Sequence, residues 1–124
     1  MPMINSQRTK QYDLEERTFN FTKRVIEFVN KLQMTLANIE VSKQLVRSAG
    51  SVGANYIEAN ESFSKKDFIM RIKICRKEAK ESCYWLKLVN CSNDLQDEQS
   101  CLIQESVELT KIFGAILEKT TSKK

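Results

Sequence analysis

Apolar residues recur along this chain at helical spacing, and no stretch alternates as a half-buried strand would. Phe21, Val25, Phe28 and Leu32 follow 4-3-4 intervals. That spacing predicts one face of a helix from Asp13 to about Ala37, with Asp13 as its cap and Glu15 and Glu16 in its first turn. A second helix is predicted from about Val41 to Ala59, with Leu45, Val52, Tyr56 and Ala59 as its apolar stripe. Gly50 and Gly53 lie inside it, each costing about 1 kcal/mol relative to Ala. They read either as a site of close backbone approach, among the small residues Ser48, Ala49, Ser51 and Ala54, or as a break near Gly50. Ser62 or Ser64 is the next cap, Ser64 with Asp67 three residues on resembling a capping box, and a third helix follows to about Asn90, about 40 Å long. Asn93 and Asp94 mark a turn. The fourth helix starts near Asp97 and repeats Leu102, Leu109 and Ile116 at seven-residue intervals.

Short connections between long helices favour neighbours that run in opposite directions. The expected fold is therefore all-α, an antiparallel up-down-up-down four-helix bundle over residues 13–120. Residues 1–12 read as a loose polar lead-in and residues 121–124 as a basic tail. The scarcity of turn residues agrees, with 3 Gly and 1 Pro in 124 residues. At 41% hydrophobic and 29% charged residues, the chain has the balance of a globular domain. No apolar run reaches the roughly 20 residues that span a bilayer, so no membrane partner is expected.

Chemistry is thinly represented. The chain has no His, which removes the commonest general base and every His-activated nucleophile. Cys75, Cys83, Cys91 and Cys101 form no C-x-x-C pair and read as small apolar residues kept reduced in a cytoplasm. No metal, cofactor, small-molecule substrate or enzymatic activity is expected.

The third helix carries two surfaces when placed on a wheel at 100° per residue. Lys66, Lys73, Lys80 and Lys87 recur every seven residues, and Lys65, Arg76 and Lys77 fall on the same side. This stripe reads as a solvated face or as a phosphate-tracking surface for nucleic acid. Tyr84 would add a stacking platform to it. Phe68, Ile72, Cys75, Ala79 and Leu86 form a core stripe, and Met70, Ile74, Trp85 and Leu88 extend it to an arc of about 200°. One core needs about half of that, so a second copy of the chain is the expected cover, with Trp85 at the contact. The alternative is that Trp85 fills a large monomer core. Arg47, Glu58, Arg71 and Glu78 are expected to share a network that sets register, unless the polar stripe of the second helix is simply exposed. The net charge is +4, yet the fourth helix and its entry are acidic through Asp94, Asp97, Glu98, Glu105 and Glu108. A basic third helix and an acidic fourth are expected to attract across a subunit boundary.

The segment from Arg47 to Ala59 (RSAGSVGANYIEA) is followed by Ser64 to Phe68 (SKKDF) and Glu78 to Leu86 (EAKESCYWL). Together these blocks resemble the 23S rRNA-intervening-sequence protein family, also called four helix bundle proteins. The match covers the second and third helices in order and spacing. The resemblance implies a ring-shaped homopentamer without established catalytic activity. It carries over Arg47, Ser51, Ala54, Asn55, Glu58, Asp67, Glu78, Glu81, Ser82 and Trp85 as fold and assembly residues. Members are often encoded within insertions in ribosomal RNA genes. A similar fold serves the basic, pentameric accessory variability protein of diversity-generating retroelements, which binds a reverse transcriptase and nucleic acid. The leading expectation is a non-enzymatic homo-oligomeric scaffold or adaptor associated with ribosomal RNA. The alternative is a module for structured RNA or an RNA–protein complex, binding through Lys66, Lys73, Arg76, Lys77, Lys80 and Lys87.

Overall fold

The computed structural model describes residues 6–122. Four α-helices and no strands occur among them: α1 (Ser6–Val29), α2 (Leu36–Asn60), α3 (Lys65–Leu88) and α4 (Gln96–Thr121). A 3-10 turn at Asn93–Leu95 leads into α4. Neighbouring pairs are α1–α2, α2–α3, α3–α4 and α4–α1, so the helices close round one core. Phe21, Phe28, Leu45, Ile72, Leu86, Leu102, Leu109 and Phe113 fill it without solvent contact. Tyr56 tilts against Phe113 with ring centroids 5.8 Å apart. None of the described helices is long and apolar enough to cross a membrane.

The boundaries of the first two helices depart from the sequence expectation. The backbone of α1 is already helical at Ser6, so the helix does not begin with a cap at Asp13. Residues 1–5 of the expected lead-in lie outside the described residues. The helix ends at Val29 rather than near Ala37, and Leu32 is buried from the connecting turn. Continued burial after the helix preserved the apolar spacing, which is why periodicity overran the true end. Thr35 then caps α2, accepting a 3.1 Å bond from the Asn38 N–H. At α3 the cap is Ser64, whose hydroxyl accepts from the Asp67 N–H at 3.1 Å. Helix α4 extends to Thr121, and residues 123–124 of the expected tail lie outside the described residues.

Asn38 is a buried clamp that the sequence did not signal. Its amide donates to the carbonyls of Gln33 at 3.1 Å and Asn90 at 2.9 Å. Its carbonyl accepts the Asn90 N–H at 3.0 Å. One side chain thus ties the α1–α2 connection to the segment after α3 and satisfies backbone groups that neither helix can.

No break occurs at Gly50, and α2 is continuous. Of the two glycines, Gly53 is the one that α1 crowds. Thr22 donates to the Ala49 carbonyl at 2.8 Å. A Cβ on Gly53 would lie 3.1 Å from Thr18 Oγ1, whereas one on Gly50 would meet nothing nearer than 4.0 Å. Gly53→Ala therefore sets the helix-propensity gain of about 1 kcal/mol against overpacking of about 1–3 kcal/mol. Urea denaturation is expected to show Gly50→Ala stabilising by about 0.5–1 kcal/mol and Gly53→Ala neutral or destabilising. A double variant that adds Thr18→Ala should recover the loss at Gly53 by removing the atoms it would strike.

Candidate functional site

Two surfaces gather the residues singled out from the sequence. The first is a polar seam along the outside of the α2–α3 contact. Its base is buried: the Ser48 and Ser82 hydroxyls share a 2.8 Å hydrogen bond, and Ser82 also donates to the Glu78 carbonyl at 2.9 Å. Above it, the Arg47 guanidinium reaches Glu78 Oε1 at 3.4 Å and pairs closely with the Glu81 carboxylate. The same Glu81 oxygen accepts the Trp85 indole N–H at 2.9 Å. Arg47 Nε donates to Gln44 Oε1 at 3.3 Å. A guanidinium on two carboxylates, one of which holds an indole, fixes the rotamers of four residues across two helices. Glu78 is buried with that partner, whereas Arg47 remains largely exposed.

Two turns along, Arg71 donates to Asn55 Oδ1 at 2.8 Å. The Asn55 amide bonds the carbonyl and hydroxyl of Ser51, both at 2.9 Å. The expected register network is therefore two adjacent clusters, one on Arg47 and one on Arg71. Glu58 belongs to neither: its side chain is exposed and makes no ion pair with any described residue. It lies on the solvent side of α2, an angular offset too small for a wheel to resolve. Ala54 is exposed beside the seam, and Asp67 sits at the α3 cap, outside it.

Apolar groups border the seam. Ile57, Met70 and Leu88 are about half exposed, and Ile74 and Trp85 are partly covered. The apolar arc of α3 is thus divided: Ile72, Cys75, Ala79 and Leu86 face the core, while Met70, Ile74, Trp85 and Leu88 face outward. Trp85 only edges the core, so it does not fill a large monomer interior.

The second surface is the groove between α3 and α4. Lys66, Lys73, Arg76, Lys77, Lys80 and Lys87 are all exposed. Lys73, Arg76, Lys77 and Lys80 meet Lys111 and Gly114 of α4 around a hollow of about 610 Å³. Lys66 lies at the start of α3, away from it. No acid of α4 lines this hollow. Glu105 binds Arg17 of α1 through two bonds of 2.7 and 3.0 Å, and Glu98 binds Lys31 at 3.0 Å. These carboxylates are engaged within the chain, Glu105 by α1 and Glu98 by the α1–α2 connection. The sequence marked α4 as acidic but not the residues that stand opposite its carboxylates.

The family model for the 23S rRNA-intervening sequence protein matches residues 10–115. The chain belongs to that family. A crystal structure similar to this intervening-sequence protein is that of a protein of unknown function from the S23 ribosomal protein family of Bacteroides thetaiotaomicron. It is 28% identical, covers 88% of this chain and 98% of its own, and superposes with a TM-score of 0.71. No curated protein matches the chain. The match spans both candidate surfaces of the intervening-sequence protein, since each lies within residues 10–115.

The cysteines of this intervening-sequence protein are all free. No group of three or more His, Cys, Asp or Glu among the described residues is placed to hold a metal. Burial pushes the Cys75 thiol up to about 12, and its Sγ lies 3.4 Å from the Val52 carbonyl. Desolvation, reinforced by Asp94, also raises Cys91. Burial raises the Tyr56 phenol, a bond to Asn60 opposes the rise, and Glu15 adds to it. The thiolate is the reactive form, so iodoacetamide at neutral pH should label exposed Cys101 early and Cys75 only on unfolding. In the unfolded chain Cys75 returns to its ordinary value of 9.0. Its contribution to stability is complete below pH 9 and is lost as the pH rises from there toward 12. Urea midpoints measured across that window should fall less steeply for Cys75→Ser than for the parent.

Proposed function

We propose that this chain is a non-enzymatic scaffold that assembles with copies of itself through the outer face of α2 and α3. The observation that carries the proposal is the ordered seam from Arg47 to Trp85 inside a border of uncovered apolar side chains. Trp and Arg dominate interface hot spots, and both are held here by the Glu81 carboxylate before any partner arrives. Such pre-organisation lowers the entropic cost of association. Exposed Ala54 and half-buried Ser51 give α2 a low surface beside the seam, suited to close approach by a second helix.

In this reading the protomer is an antiparallel up-down-up-down bundle. The pairing of Glu15, Thr18 and Thr22 with Asn60, Gly53 and Ala49 supports opposed directions for α1 and α2. Five protomers close into a ring, as the family resemblance implies. The free cysteines support a reducing, cytoplasmic setting. Glu78 and Glu81 are committed to a guanidinium and an indole, which supports a structural role for them over acid–base work.

Sedimentation equilibrium should give about five times the 14.4 kDa chain mass. Ile74→Glu and Trp85→Ala, placed at the border, should shift the distribution to smaller species while the helical circular dichroism persists. A parent protein that stays monomeric at micromolar concentration would sink the proposal. Turnover in a hydrolase and nuclease screen, with and without divalent metals, would overturn its non-enzymatic half.

A further inference from the structure

We infer that the groove between α3 and α4 binds a single strand of nucleic acid, with its phosphates on the lysines and one base on Tyr84. The inference is separate from self-assembly, which uses the outer face of α2 and α3. It rests first on charge. Lys73, Arg76, Lys77, Lys80 and Lys87 come from α3 and Lys111 from α4, and none of them forms an ion pair with any described residue. Two acids of α4 are drawn away from the groove, Glu105 by Arg17 of α1 and Glu98 by Lys31 of the α1–α2 connection. Glu118 is the acid of α4 on the groove-side stripe, one turn beyond Gly114, and it does not line the hollow. Six cations brought together from two helices repel one another, and a polyanion relieves that repulsion while releasing its own counterions.

Shape supplies the second argument. Gly114 leaves the floor of the groove open, and the Arg76 side chain lies over it, 3.7 Å from where a Cβ would stand. The hollow continues into a second one of about 470 Å³, lined mainly by apolar atoms of Cys83, Tyr84 and Val107 and edged by Lys80, Lys87 and Lys111. From Lys73 to Lys87 the cations span about 21 Å along α3. That length sits at the short end of the roughly 4–16 nucleotides covered by single-strand modules.

The third argument is the aromatic ring. Tyr84 is 59% exposed and stands edge-on to Trp85, with centroids 4.9 Å apart. The ring is therefore steadied from behind with a face left free. A base stacks face-on against an exposed ring only when it is unpaired, because duplex bases are already stacked within the helix. This favours a single strand over a duplex, and a stacking platform has no use for an acidic polypeptide.

The test is fluorescence anisotropy of the full chain with labelled 12-nucleotide oligo-U and oligo-dT between 50 and 200 mM salt. Binding of either strand with a log–log salt slope of about −3, for about four phosphate contacts, is expected. Equal affinity assigns recognition to phosphate and base alone, and preference for oligo-U adds a contact to the 2′-hydroxyl; both support the inference. Lys80→Glu with Lys111→Glu should weaken binding at least tenfold and flatten the slope. Tyr84→Ala should weaken oligonucleotide binding about fivefold or more while leaving inorganic polyphosphate binding unchanged. Each variant is checked for unchanged helicity and sedimented mass, so loss of assembly is not mistaken for loss of binding. The inference is overturned if neither strand shows salt-dependent binding, if a duplex competes equally, or if Tyr84→Ala has no effect. It is likewise overturned if polyglutamate binds as tightly as the oligonucleotides, which would make the groove a surface for an acidic protein.

Discussion

A hydrogen bond between two serine hydroxyls sets the register on which the outer surface depends. Ser48 and Ser82 meet at 2.8 Å with no solvent contact, midway along the packing of α2 against α3. A slide of one helix by a turn would break the shared bond and leave each hydroxyl only a carbonyl of its own helix, Leu45 for Ser48 and Glu78 for Ser82. With that register fixed, Arg47 falls opposite Glu78 and Glu81, and Asn55 falls opposite Arg71. Trp85 is in turn oriented by the carboxylate that Arg47 draws in. The bond adds modest stability of its own and a large amount of specificity.

Helix α3 connects the two surfaces because it is asked to satisfy three environments at once. One side joins the core through Ile72, Cys75, Ala79 and Leu86. A second carries Met70, Ile74 and Leu88 outward beside the seam. A third presents lysines beside α4. The separation works because Arg17 of α1 and Lys31 just after it hold Glu105 and Glu98 of α4, drawing negative charge to the far side of that helix. Placing like charges in one groove costs the fold some repulsion, and the exposed lysine heads limit that cost through solvent screening.

Helix number, order and core stripes were legible because burial imposes a 3.6-residue period on the sequence. The Ser64 cap and the crowding at Gly53 were legible because each has a local residue signature. Helix ends were less so: Leu32 kept the period of α1 after its backbone had left the helix. Partner choice was the least legible. Angular position placed Glu105 and Glu58 on faces but could not say that Arg17 stands across from one and open solvent from the other. Asn38 escaped notice for the same reason, since its partner Asn90 is 52 positions distant.

Asn38 also makes the two ends of the molecule unlike. At one end it laces two chain crossings into a single knot of backbone hydrogen bonds. At the other, Phe63 is wholly in water at the tip of the α2–α3 bend, and among the described residues a single bond from Asn60 to Glu15 joins α2 to α1 beside it. Opening the molecule from the bend breaks fewer buried polar contacts than opening it from the knot. Amide exchange should accordingly run as a gradient along the helices, fastest beside Phe63 and slowest beside Asn90, giving the bundle a hinged end and a moving end.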